Sequence, residues 1–150
     1  MTQPAHTIPP TSNGIEESGE ASTRCHVRII TSNAEFDALE GEWNRLIENA
    51  DITIYQTFEW LRSWWEYHQT PSYRLHILLF TAEKRTIAIA PLFIEEIGIS
   101  GVRFAARLRF IGAGLSDYVD IIILPDYQPL VLKTFALFLQ STVGTWDVLD

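Results

Sequence analysis

The hydrophobic periods along this chain predict an α/β protein, α+β in its layout: a mixed, mostly antiparallel sheet flanked by helices. Three observations carry that expectation. Apolar side chains recur at helical spacing over residues 36–47 and 60–65. They alternate every second residue through much of 73–110, and a long apolar run after Pro125 precedes a final short strand pattern.

Residues 1–23 carry Pro4, Pro9, Pro10, Gly14 and Gly19 among Ser, Thr and Glu, the composition of a disordered leader. Order begins with a strand over about residues 25–31, where Val27, Ile29 and Ile30 bring β-branching. Ser32 or Asn33 then caps a helix by accepting from free backbone N–H groups. Its buried stripe is Phe36, Leu39, Trp43, Leu46 and Ile47; Glu35, Asp37, Glu40 and Glu42 face water, and Gly41 weakens it slightly. A second helix is capped by Thr57, buries Trp60, Leu61, Trp64 and Trp65, and ends before Pro71.

The period then changes. Tyr73, Leu75, Ile77 and Leu79 alternate with Arg74, His76 and Leu78, Ala82-Glu83-Lys84-Arg85 forms a polar turn, and residues 86–94 run apolar. This is an antiparallel hairpin whose second strand is buried on both faces. Pro91 has no N–H for a ladder, which places it at an edge or a bulge. Gly98 and Gly101 mark the next turn. In the strand over 102–110, Phe104, Ala106, Leu108 and Phe110 point one way and Arg103, Ala105, Arg107 and Arg109 the other. A strand over 118–124 leads to a helix from about Asp126, its N-cap, to Thr142. That helix is apolar nearly all round and therefore expected to be buried. The last strand pattern, 145–150, reaches the final residue, and the expectation is that a C-terminal half is missing.

With 150 residues, 47% hydrophobic and 20% charged, the chain has room for one domain, placed at 24–150 and read as truncated. A formal charge of -8 argues against a nucleic-acid partner, because phosphate neutralisation needs clustered Lys and Arg. The single cysteine, Cys25, forms no internal disulfide, and no apolar run near Met1 resembles a secretory signal. The longest apolar stretches, such as 87–94, fall far short of the roughly 20 residues of a membrane helix. A cytoplasmic protein with no membrane span is the expectation. His6, His26, His68 and His76 lack metal-ligand spacing, Cys25 lacks a base beside it, and there is neither a nucleophile elbow nor a Walker loop.

Several segments together resemble a known family. They are Trp43, the block Gln56-Thr57-Phe58-Glu59-Trp60-Leu61 with Trp64 and Trp65, Ala90-Pro91-Leu92, Arg109 to Gly112 with Ser116-Asp117-Tyr118-Val119-Asp120, and Trp146-Asp147. In this order they are similar to the CelD/BioF-type acetyltransferases. These are relatives of FemAB-like enzymes, which carry two halves of the GNAT acyltransferase fold in one chain. The resemblance spans about residues 27–150. It implies a GNAT-like sheet and acyl transfer from acetyl-CoA or another acyl-CoA to a small-molecule amine or similar acceptor, often in cell-surface polysaccharide biosynthesis. The C-terminal half of such families usually holds the cofactor, so the expected partner is that half or a second copy.

A GNAT domain grips the CoA diphosphate with a glycine turn between a strand and a helix, where backbone N–H groups and the helix N-terminus meet the phosphates. Arg109-Phe110-Ile111-Gly112-Ala113-Gly114 fits that string, but a strand follows it instead of a helix. Before the long helix stands Leu124-Pro125-Asp126-Tyr127-Gln128-Pro129, with two prolines, no glycine and an acid. No cofactor is therefore expected on this chain alone, and the acyl-CoA belongs to the complete enzyme. Trp60, Asp117, Tyr118 and Asp120 are the candidate substrate-binding residues: Trp60 as a stacking surface, the two acids as groups that orient an amine or act as base. The bland readings are core packing for the tryptophans and turn carboxylates for the acids. No catalytic residue is assigned. Arg103, Arg107 and Arg109 form a basic stripe that either meets an anionic substrate or partner, or is a solvated face. The alternative function is a non-catalytic interaction module that pairs through its C-terminal edge strand.

Overall fold

A computed structural model describes residues 24–99, 102–115 and 119–150; the leader expected over 1–23 lies outside them. Strand β1 (His26–Ile30) leads into α1 (Asn33–Ala38), where Ser32 accepts from the Glu35 amide and the Glu35 carboxylate answers the Ser32 amide. That reciprocal box satisfies two donors the first helical turn leaves open. The expected single helix is two, because the Leu39 amide closes tightly on Phe36 O before α2 (Glu40–Ile47) restarts with Trp43 N–H on Leu39 O. The buried stripe survives the break: Phe36, Leu39, Trp43 and Leu46 are all in the core.

A 3-10 turn (Ile54–Gln56) then sets up α3 (Phe58–His68). Thr57 occupies the capping position, yet its hydroxyl donates back to Ile54 O instead of receiving from the helix. Phe58 wedges edge-on against both Phe36 and Trp43, with ring centroids 5.6 and 5.9 Å apart. Trp64 and Trp65 are buried on Phe93, while Trp60, expected inside, is 37% exposed beside Tyr55. The reason is angular: α3 turns Phe58, Leu61, Trp64 and Trp65 to the core, and Trp60 falls off that arc.

The predicted hairpin is split into four strands. They are β2 (Tyr73–Leu75), β3 (Ile77–Ala82), β4 (Arg85–Ala90) and β5 (Leu92–Ile99). With β6 (Val102–Phe110), β7 (Ile122–Ile123) and β8 (Val148–Leu149), they make two four-stranded sheets, in the orders β1-β3-β4-β7 and β2-β5-β6-β8. All pairs are antiparallel except β6–β8. The chain crosses between sheets at His76 and at Pro91. Pro91 supplies no N–H, its carbonyl receives the Ile111 amide at 2.8 Å, and the His76 amide turns to Leu92 O at 3.0 Å. Pro91 therefore sits at a crossing rather than at an edge. Residues 87–94 are buried on both faces, as expected.

Alternate side chains of the first sheet feed two cores. Ile77, Leu79 and Ile89 meet α1, α2 and α3, while Leu78, Phe80, Ala88 and Ala90 meet α4 (Gln128–Ser141). The long helix departs from expectation. Only Val131 is fully buried, with Leu130, Phe135, Phe138 and Leu139 packed beside it; Leu132 and Leu137 are exposed. One layer covers it, so one stripe is covered. Asp126 is not its N-cap either: Pro125 opens a 3-10 turn (Pro125–Tyr127), which moves the start of α4 one turn on and puts Tyr127 at the cap.

Candidate functional site

Two of the segments that suggested a function, Ala90-Pro91-Leu92 and the turn after β6, meet where the chain crosses between the sheets. Beyond β6 the chain turns through Ile111 to Leu115, with Gly112 at φ 101 and Gly114 at φ 87, backbone that side-chain-bearing residues rarely adopt. The turn uses three of its five amides within the protein. Ile111 N–H goes to Pro91 O, Ala113 N–H to Phe110 O and Leu115 N–H to Gly112 O. At the start of α4, Pro125 and Pro129 have no N–H, and the Tyr127 and Gln128 amides bond Leu124 O and Pro125 O. A diphosphate needs several converging free amides. The turn leaves the Gly112 and Gly114 amides, with β7 and not a helix as the next described element, and the α4 entry carries two prolines, so these residues do not fit the usual CoA diphosphate grip.

Arg107 and Arg109 face Glu95 across the β5–β6 ladder, at 3.4 and 3.3 Å, and Arg109 also reaches Asp150 at 3.1 Å. Arg103 donates to Thr145 O. The stripe that alternation exposed in the sequence is therefore occupied by acids and a carbonyl of this same chain, and is not an open anion surface. Asp147 holds the parallel pair: its carboxylate accepts from Ala106 N–H and its own N–H gives to Ala106 O, both at 2.7 Å.

Of the candidate substrate-binding residues, Asp117 and Tyr118 lie outside the described residues. Asp120 is exposed just ahead of β7, and its carboxylate accepts from the Ile121 amide at 2.7 Å. Trp60 sits on α3 with Tyr55 edge-on at 5.4 Å. Trp64 and Trp65 take the core reading, and Trp65 Nε1 donates to Asn33 Oδ1 at 2.8 Å.

His76 was passed over in the sequence. It stands at the sheet crossing, half-buried, on the wall of a hollow of about 380 Å³ that also touches Trp65 and Asn33. Its Nε2 has no hydrogen-bond partner among the described residues. Burial, aided by the Arg74 charge, lowers its pKa and favours the neutral ring. The available signal was a lone imidazole inside an apolar alternation. No group of three metal-ligating side chains occurs among the described residues, and no helix there is long and apolar enough to cross a membrane.

No protein-family profile matches the sequence, and no curated protein matches it. Among solved structures, a GNAT family acetyltransferase from Staphylococcus aureus subsp. aureus USA300_TCH1516 is similar over 84% of this chain and 85% of its own, at 13% identity and a TM-score of 0.43. A superposition that loose carries no argument about what this chain does.

Proposed function

We propose that this chain is the acceptor-side half of a GNAT-type acyltransferase of the CelD/BioF kind, with the acyl-CoA held by a C-terminal GNAT-like half or a second copy. One observation supports the reading above others: the segments that carry the family resemblance bond to one another. Trp43 Nε1 donates to Gln56 O at 2.9 Å, and Pro91 O takes the Ile111 amide at 2.8 Å, so four of the segments meet in two pairs. In this reading Trp60, Asp117, Tyr118 and Asp120 receive a small-molecule amine or similar acceptor in a cytoplasmic step of cell-surface polysaccharide biosynthesis.

Two measurements test it. Labelled acetyl-CoA with a panel of amines should give no transfer with this chain alone. Backbone-amide NMR with acetyl-CoA should leave Gly112 to Leu115 unshifted; position, not affinity, decides. Turnover, or shifts in that segment, would overturn the acceptor-side role.

The second reading is a non-catalytic module that pairs with another copy through β8. Its support is an edge strand with Val148 51% and Leu149 42% exposed. A dimer in sedimentation that Val148→Lys dissolves would favour it; a monomer at every concentration would remove it.

A further inference from the structure

We infer that the cleft between α2 and the β3–β4 turn binds a small organic phosphate, a ligand of nucleotide size. The cleft holds about 840 Å³, within the range of small-molecule pockets. Arg28, Arg45, Lys84 and Arg85 line it, four of the 11 Lys and Arg in a chain of net charge -8. Among the described residues no carboxylate lies within 4.0 Å of any of these four, whereas Arg62, Arg74, Arg107 and Arg109 each have one.

Their placement follows from the fold. Arg28 stands opposite Leu79 in the β1–β3 ladder, so the two share the face that meets α2. Arg45 spends only Nε, on Gly41 O at 3.0 Å. Lys84 is carried on a two-residue turn, and Arg85 is steadied over the Tyr127 ring at 5.1 Å. Glu42 accepts from the Thr86 hydroxyl at 2.7 Å, and Asp126 is the other carboxylate on the wall. The lining thus carries four cations against two acids. Leu46 and Leu79 close its floor as buried core residues, and half-buried Leu124 supplies the open apolar wall.

That combination selects the ligand. Guanidinium forks match phosphoryl oxygens bidentately, and low-dielectric walls focus the field of the rim. Leu124 offers nothing to a bare ion but can lie against an organic portion, for which the volume of the cleft leaves room. The cleft borders the α4 entry through Leu124, Pro125 and Asp126 but includes neither the Gly112 turn nor β8, so the inference does not rest on the acyl-transfer reading.

Calorimetry with ADP, pyrophosphate and inorganic phosphate on the whole chain tests it. ADP should bind saturably and more tightly than pyrophosphate. Removing one charge-assisted contact should weaken ADP about 10-fold or more, and Arg45→Gln with Lys84→Gln together more steeply. Both side chains are exposed, so circular dichroism should show an unchanged fold. Lys133→Gln on α4 removes the same charge elsewhere and should leave the affinity alone. No saturable ADP binding, a double variant that binds as wild type, or equal loss in Lys133→Gln would each overturn the site. ADP and pyrophosphate binding alike would overturn its organic part.

Discussion

Trp43 joins packing and hydrogen bonding in one side chain: it is fully buried against Phe36 and Phe58, and its Nε1 satisfies Gln56 O. Trp43→Phe keeps most of the contact and strands that carbonyl, at a cost of about 1–3 kcal/mol. Urea unfolding reads it directly. His76 is a second case, governed by charge. Its folded pKa lies below the ordinary 6.5, first because burial penalises the charged ring. The unfolded chain therefore takes the proton first. The stabilisation is complete above 6.5 and is lost as pH falls from there toward the folded value. Stability measured from about pH 7.5 to about pH 5 should fall less steeply in His76→Gln than in wild type; equal slopes would refute the assignment. Trp43 was readable from helical spacing alone. Trp60 was not, since five aromatic residues crowd 55–65 and only the packed arc of α3 decides which of them is left outside.

The β3–β4 turn places Glu83 and Lys84 in left-handed backbone, at φ 52 and 64. Hairpins with two-residue turns favour Asn-Gly there, because a Cβ in that region costs roughly 1–2 kcal/mol per residue. Lys84→Gly should therefore stabilise the protein by about 0.5–1 kcal/mol once the extra entropy of glycine in the unfolded chain is offset. Differential scanning calorimetry shows it as a higher Tm. The same change removes a cation from the cleft, so stability and ADP affinity should move in opposite directions. The hairpin itself was legible from period and polar turn. Its division between two sheets was not: alternation continues smoothly from Tyr73 to Leu79, and only Pro91 marked a place where a ladder had to break. Even that mark does not say which strand takes over the pairing, because the deciding bonds, His76 to Leu92 and Ile111 to Pro91, join residues 16 and 20 positions apart.

Two sheets, three short helices on one side and one long helix on the other leave the molecule asymmetrically covered. The α1, α2 and α3 side is closed by interlocking aromatic rings, while α4 rests on its sheet through a single stripe. Composition misled here for a physical reason. A helix that is apolar all round has no periodicity to orient it, and what covers it depends on neighbours distant in sequence. Leu137, 56% exposed on α4, separates the two pictures. Were α4 fully enclosed, Leu137→Glu would place a charge in the core and cost several kcal/mol. With its outer face open, the change should move unfolding stability by no more than about 0.5 kcal/mol. It should also reduce concentration-dependent association, since it replaces an exposed apolar side chain with a charge. Urea unfolding beside sedimentation velocity checks both halves: large destabilisation would mean a buried α4, and unchanged stability with less association places that face at the surface.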